Sequence, residues 1–508
     1  MTRILLRNGY VHTTADPHAT ALCVEDGTVV WTGDDDAHAH LAQTGFAATG
    51  VDLSTASSLA EALDTVAAHS HNSTAAVLLG FGWDETAWPE QRPFTAAEVD
   101  RATGGRAAFL SRVDVHSAVL STAFLDACPD VVHAGGYDAS GLVARDAHHV
   151  ARDGLFRMTP AAVREAAILI ALQDAAAQGI GMVHELGAPH ICPPEDLAIA
   201  ASLTASLPLP EVVGYWGELG GVDKAVELGC AGAAGDLCMD GSIGSRTSAL
   251  HTPYADAETS GHLYLDRDQV AAHVVDCTRA DLQAGFHVIG DRAVTELVAG
   301  FEAAAEVLGA PAVVRARHRV EHVEMATQEQ MGVLGSLGVT ASMQPMFDAY
   351  WGGEESLYAQ RLGADRARPM NAFASMNRAG VALAFGSDTP VTPFGPWAAV
   401  RAAAWHRTES ERITVRAAFN AHTRGGWRAA RRDEGGVIAV GVPASIAVWD
   451  VPGDLVVQTP DARVAAWSTD PRAGVPQLPD LHPDVDLPVC VLTLVDGRVT
   501  YEREGALT

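Results

Sequence analysis

Residues 282–325 read LQAGFHVIGDRAVTELVAGFEAAAEVLGAPAVVRARHRVEHVEM. A short apolar run holding His287 is followed by helical periodicity from Arg292 to Gly309, then by a second run, HRVEHV, holding His322. Runs of this length fit strands buried on both faces, and a helix between two of them predicts a parallel crossover. The same alternation recurs outward from here. A helix opens at Thr159-Pro160, an N-cap followed by proline at the first helical position, and stops at Gly179, after which IGMVH reads as a buried strand. PEVVGYWG, GDLCMDG, GVTASMQ and GVALAFG supply further strands. The pattern predicts an α/β fold, a closed (β/α)8 barrel of the TIM type over residues 34–429. Residues from about 54 to 154 are richer in Gly, Trp and His and are expected to form an insertion over the barrel mouth.

The two ends resemble each other. TALCVEDGTVVWTG (20–33) and VCVLTLVDGRVTYE (489–502) each place Asp-Gly between apolar runs, a hairpin signature, and GGVIAVGVPASIAVWD (435–450) adds two short strands. Residues 1–33 and 430–508 are therefore expected to form one small β-sandwich domain.

Of the 508 residues, 48% are hydrophobic and 19% charged, enough for a large core. The net charge of −29 argues against nucleic acid or an anionic membrane as partner, because both demand a basic face. The seven cysteines are scattered without a C-x-x-C pair and read as free thiols, and no apolar run is long enough to span a bilayer. A cytoplasmic protein is expected, with assembly as a homodimer left open.

Strand ends converge on one face of a parallel barrel, so His287, His322 and Asp388 (in LAFGSDTPV) can meet there. Two imidazoles and a carboxylate suit a divalent metal such as zinc. His38 and His40, two apart, would face the same side of a strand and could join them.

The segments FGWDETAWP (81–89), RVDVHSAVLS (112–121), DGSIGSRTSALHTPY (240–254), GFHVIGDRAV (285–294), RHRVEHVEM (317–325), AFGSDTPV (384–391) and RAAFNAHTRGGW (416–427) together resemble the family 3 branch of the amidohydrolases, which contains N-substituted formamide deformylases. The resemblance implies a metal-dependent hydrolase acting on a non-peptide, amide-type C–N bond of a small molecule, with one or two zinc-like ions. It implies His38, His40, His287, His322 and Asp388 as ligands, with Asp388 also moving the proton. Trp83, His116, Asp240, Arg246 and Phe347 are expected to shape the substrate pocket. A metal-dependent lyase or isomerase, or a metal-free binding protein, are the alternatives on the same scaffold.

The chain departs from the family pattern in two places. No apolar strand precedes His38: only TGDDD separates it from VVW, and three aspartates do not suit a buried strand. A chain discontinuity near residues 33–41 is expected, or else DDDAHAHLA forms a surface loop or helix. Secondly, many relatives bridge two metals with a carboxylated lysine after strand four. Asp236 stands there instead, and the only lysine, Lys224, lies in a helical segment. Glu185, at the end of strand two, is the candidate to bridge, or else it is a structural carboxylate.

Overall fold

The computed structural model describes residues 3–7, 9–13, 21–25, 28–29, 34–433, 435–437, 442–458, 467–468 and 476–506. Eight parallel strands follow one another around a barrel: β1 (Asp34–Ala39), β2 (Ile180–Gly187), β3 (Glu211–Trp216), β4 (Gly232–Ala233), β5 (Gln283–Val288), β6 (Arg319–His322), β7 (Thr340–Met343) and β8 (Ala382–Phe385). The ring closes just past β8, where the Asp388 amide donates to the His38 carbonyl (2.8 Å) and the His40 amide to the Thr389 carbonyl (3.1 Å).

Strand β5 shows how one stretch serves two environments. Ala284, Phe286 and Val288 pack outward into the helical layer with Leu297 and Phe301. Gly285 faces the lumen, where a Cβ would press on the Arg319 side chain, and His287 points to the mouth. The strand is buried throughout, which is why it reads as apolar rather than alternating.

β1 corrects the sequence-based expectation. The chain is continuous from Asp34 through β1 into helix α1 (Leu41–Thr49), so residues 34–41 hold neither a discontinuity nor a surface loop; residue 33 lies outside the described residues. The aspartates are tolerated for two reasons. Asp36 accepts the backbone amides of His38 and Ser387, both at 3.1 Å, and so pins β1 to the end of β8. Burial, reinforced by the adjacent Asp36, pushes Asp35 well above the usual carboxylate range, which favours the uncharged acid inside the barrel.

The insertion is a five-stranded sheet, built from Val51–Asp52, Leu78–Trp83, Ala108–Arg112, Ser117–Leu120 and Leu142–Ala144. It leads into helix α2 (Arg145–Met158), after which helix α3 (Ala161–Ala177) returns the chain to β2. Helix α3 packs so tightly on α1 that a Cβ at Gly45 would collide with the Ala167 carbonyl oxygen; glycine is required for this approach.

Arg3–Arg7, Ala21–Glu25, Thr28–Val29 and Val442–Pro443 form one sheet, so both ends of the chain contribute to it. Ile446–Asp450, Val489–Val495 and Arg498–Glu502 form a second, and Leu22, Val24, Ile446, Leu492 and Leu494 share a core between the two. The hairpin at Asp496-Gly497 has left-handed backbone at both residues, as its turn demands. The Asp26-Gly27 turn and residues 438–441 lie outside the described residues. No single helix among the described residues is long and apolar enough to cross a membrane.

Candidate metal centre

Six side chains from five places in the chain converge at the carboxyl ends of the strands. His38 and His40 come from the end of β1, His287 from β5, His322 from β6, and Asp388 from the turn after β8. Asp236 completes the set. The segment GDLCMDG, expected as strand four, is not that strand: β4 ends at Ala233, the chain turns at Gly235 (φ +96°), and residues 237–239 run beside β5, with Met239 donating to the His287 carbonyl (2.8 Å). This detour sets Asp236 among the imidazoles. Its carboxylate lies 3.7 Å from His38 Nε2, 3.3 Å from His40 Nε2 and 3.9 Å from His287 Nδ1. Asp388 Oδ1 lies 3.2 Å from His38 Nε2 and 3.1 Å from His40 Nε2.

His322 and Asp388 both adopt left-handed backbone, at φ +67° and +56°. Strict alternation along β6 would send His322 outward with Val320, which packs in the helical layer; the backbone twist brings it to the mouth instead. Such conformations cost of order 1 kcal/mol and cluster where function needs them.

Each of three imidazoles has its outer nitrogen engaged. His38 Nδ1 meets Glu321 Oε2 at 2.9 Å, His322 Nδ1 meets Gln344 Oε1 at 2.7 Å, and His287 Nε2 meets the Gly241 carbonyl at 3.4 Å. Because a carbonyl or carboxylate can only accept, these nitrogens carry the protons, and the opposite nitrogens offer lone pairs. His38 Nε2 and Asp236 Oδ1 are fully buried without a hydrogen-bond partner among the described residues. Buried polar atoms are almost always satisfied, so a pair of orphans facing one another marks a place for a cation. Two trios, His38–Asp236–His322 and His38–His40–Asp388, bring one ligand atom each within 4.8 Å of one another.

The electrostatics agree. Burial opposes charge on His38 and His40, yet Asp388 and Asp236 outweigh it, raising His38 well above its ordinary value and His40 to about 9. Burial likewise works against Asp236 and Asp388, but the facing histidines hold both carboxylates well below their usual range. The negative charge draws protons onto histidines that burial would otherwise keep neutral. A divalent ion satisfies the same charge with its ligands deprotonated.

Behind the cluster, Arg319 fills the barrel lumen. Its Nε and Nη2 donate to Glu321 at 2.6 and 3.0 Å, Nη2 also donates to the Ala37 carbonyl (2.7 Å), and the guanidinium lies 4.5 Å from the centre of the Tyr215 ring. Arg319 thus holds Glu321, and Glu321 holds His38.

The other expected site residues divide. His116 and Phe347 line the cavity, with the His116 ring centroid 5.0 Å from that of His287 and Phe347 stacked on His322. Glu185 does not join the cluster: its Oε2 accepts the Leu41 amide at 2.7 Å, at the start of α1. Trp83 is packed inside the insertion against Trp88 and Phe94, its indole N–H donating to the Leu110 carbonyl. Asp240 accepts the amides of Ala249, Ile289 and Gly290 and braces the loops beneath the cavity. Arg246 pairs with Asp256 at the surface, not with Asp240 or the pocket. Sequence patterning does not single out Asp236, Glu321 or Arg319; the signal for Asp236 is its position in place of the family's lysine.

The fold and the mouth geometry have a counterpart among known families. The amidohydrolase family model matches residues 26–501, and the chain belongs to that family. It is a hydrolase by family. It is 23% identical to YtcJ of Bacillus subtilis (strain 168), a protein named provisionally as an amidohydrolase, over 94% of this chain and 90% of that one. Over 38% of its length it is 29% identical to LONG AFTER FAR-RED 3 of Arabidopsis thaliana, covering 34% of that protein. Among solved structures, uncharacterized metal-dependent hydrolases from Pyrococcus furiosus and Pyrococcus horikoshii OT3 share the fold, with TM-scores of 0.67 and 0.69 at 22% and 21% identity. Each alignment covers 87% of this chain, and 98% and 96% of the respective neighbour.

Proposed function

We propose that the chain is a divalent-metal-dependent hydrolase that cleaves a non-peptide, amide-type C–N bond of a small molecule. The observation that carries this reading is the set of outward-anchored imidazoles, whose free nitrogens face the carboxylates of Asp236 and Asp388. A single zinc-like ion would draw on His38, His40 and Asp388; a second would draw on His322 and Asp236, with His287 beside them. With two ions, Asp236 would stand in the place expected of Glu185, and no lysine carbamate would be needed. The neighbours named as metal-dependent hydrolases, sharing the barrel, support the metal.

When bound, such an ion acidifies water and polarises a substrate carbonyl. Asp388, facing the cavity, takes the water's proton on a carboxylate oxygen and returns it to the departing nitrogen, which must leave protonated. His116, across the cavity beside His287, is placed to donate to the oxygen that gains negative charge. Burial and the neighbouring His287 lower His116 to about 3, so it serves as a neutral donor.

Metal analysis of the purified protein, with turnover of a panel of small amides in ¹⁸O-water, tests the reading. Hydrolysis puts solvent oxygen into the acid product; a lyase or isomerase does not. Asp388→Asn should retain metal while kcat falls about 10²–10⁴-fold, the range for loss of a general base. Near-normal turnover in that variant would overturn the assignment of the proton to Asp388.

A further inference from the structure

Five arginines are buried among the described residues: Arg112, Arg152, Arg164, Arg319 and Arg361. Four meet carboxylates. Arg112 pairs with Asp84, Glu85 and Asp114, Arg164 with Asp196, Arg319 with Glu321, and Arg361 with Glu85 and Asp256. Arg152 is the exception: only 7% exposed, it has no carboxylate within ion-pair distance among the described residues. Its Nη2 donates to Gln43 Oε1 (3.1 Å) and to the Val115 carbonyl (3.0 Å), while Nε and Nη1 have no partner there. A buried cation left without a counter-ion is costly, and its retention calls for an anion that comes and goes.

Its position says what that anion is. Arg152 stands on α2 and lines the cavity opposite the metal-ligand cluster, beside His149 and His190. The His149 and His190 rings lie 4.3 Å apart, and neither nitrogen of His149 is hydrogen-bonded among the described residues. Burial keeps both imidazoles neutral; His149 retains one N–H to donate, while His190, whose Nε2 already meets Cys238 Sγ at 3.5 Å, has Nδ1 to offer. Asp236 and Asp388 are the nearest compensation for Arg152, but a bound divalent ion would take up their charge and leave the guanidinium in surplus.

The cavity has a second lobe, walled by Ile243, Phe347, Trp351, Leu357, Tyr358 and Val391. The two lobes share His116, His287, His322 and Asp388. A substrate spanning them would present its scissile bond at the shared wall, an apolar group on one side and an anion on the other.

We propose that Arg152, with His149 and His190, forms an anion subsite for a substrate carboxylate. The substrate class is then a small amide that bears a carboxylate near the scissile C–N bond and an apolar group beyond it. This rests on the hydrolase reading above for the meaning of the scissile bond, but not for the binding itself.

The test uses matched probes: N-acetylphenylalanine, as each enantiomer, and N-acetylphenethylamine, which differs only in lacking the carboxylate. Their binding to the protein as purified is measured by calorimetry, with no turnover required. The acid should bind tighter than the neutral amide by about tenfold to a hundredfold, the value of a charge-assisted contact. Arg152→Met should erase that preference without weakening the neutral probe, and Arg152→Lys should restore part of it. The inference is overturned if the neutral probe binds the unaltered protein as well as the acid, if Arg152→Met leaves the acid's affinity unchanged, or if neither enantiomer of the acid binds at millimolar concentration. The wild-type comparison stands even if Arg152→Met does not fold. Failure of the hydrolase reading shows differently, as carboxylate-selective binding with no turnover of any amide.

Discussion

Glu321 is the residue through which stability and metal affinity can be pulled apart. It accepts Arg319 Nε at 2.6 Å on one oxygen and His38 Nδ1 at 2.9 Å on the other, and both it and Arg319 are fully buried. At an effective dielectric of about 20, opposite charges 2.6 Å apart attract by about 6 kcal/mol. Removing one partner of such a pair typically costs about 3–5 kcal/mol, because the other is left buried and uncompensated. Arg319 keeps Ala37, Ser342 and the Tyr215 face, so Glu321→Gln should fall near the lower end, at about 3 kcal/mol. Replacing both charges, as in Arg319→Met/Glu321→Met, removes the uncompensated ion and should recover most of that loss. Metal affinity should be lowest in the double variant, because methionine leaves His38 Nδ1 without the acceptor oxygen that glutamine can still offer; losing such an orienting partner typically costs about 10–100-fold. Thermal melts at a fixed scan rate and chelator competition, run on the wild type and both variants, read the two quantities separately. A double variant that binds metal as tightly as the wild type would refute the role given to Glu321, since His38 would then need no orienting carboxylate.

Two further outcomes are expected. Chelation should abolish turnover, and zinc should restore it equally with and without added bicarbonate, since Asp236 stands where a carbamate would require lysine; a bicarbonate requirement would count against that assignment. Asp240→Asn should lower the melting temperature by the equivalent of about 1–3 kcal/mol, because the amide cannot accept from all of Ala249, Ile289 and Gly290, while KM stays near wild type. A raised KM with unchanged melting would return Asp240 to the substrate pocket.

The barrel is legible in sequence wherever a strand is covered by helices and carries its polar residue at the end, as with His287, His322 and Asp388. It is illegible at β1, because the rule that buried strands are apolar is local. Asp36 satisfies it by bonding to Ser387, 351 residues away, a pairing that no window of the sequence contains. Glu185 and Asp236 are both carboxylates at or just beyond strand ends. Only the detour after Gly235, which turns Asp236 into the cluster, and the start of α1, which captures Glu185, tell them apart. Arg152 hides for a different reason: RDAHHVARDGLFRM is rich in charge, yet His148 and Arg152 lie on the buried face beside Ala147, Ala151, Leu155 and Phe156.

The insertion between α1 and α3 has a consequence for how such a protein diversifies. The barrel, spread over hundreds of residues, supplies the cluster of imidazoles and carboxylates at its mouth. One contiguous stretch, residues 113–152, supplies His116, His149 and Arg152, and so much of what the mouth presents to an incoming molecule. The insertion sheet has its own core around Trp83, Trp88 and Phe94, so its loops can change without disturbing the barrel beneath. Chemistry and selectivity are thereby inherited as separate passages of text. A lineage can rewrite what it accepts within a few dozen codons while leaving the reaction itself untouched.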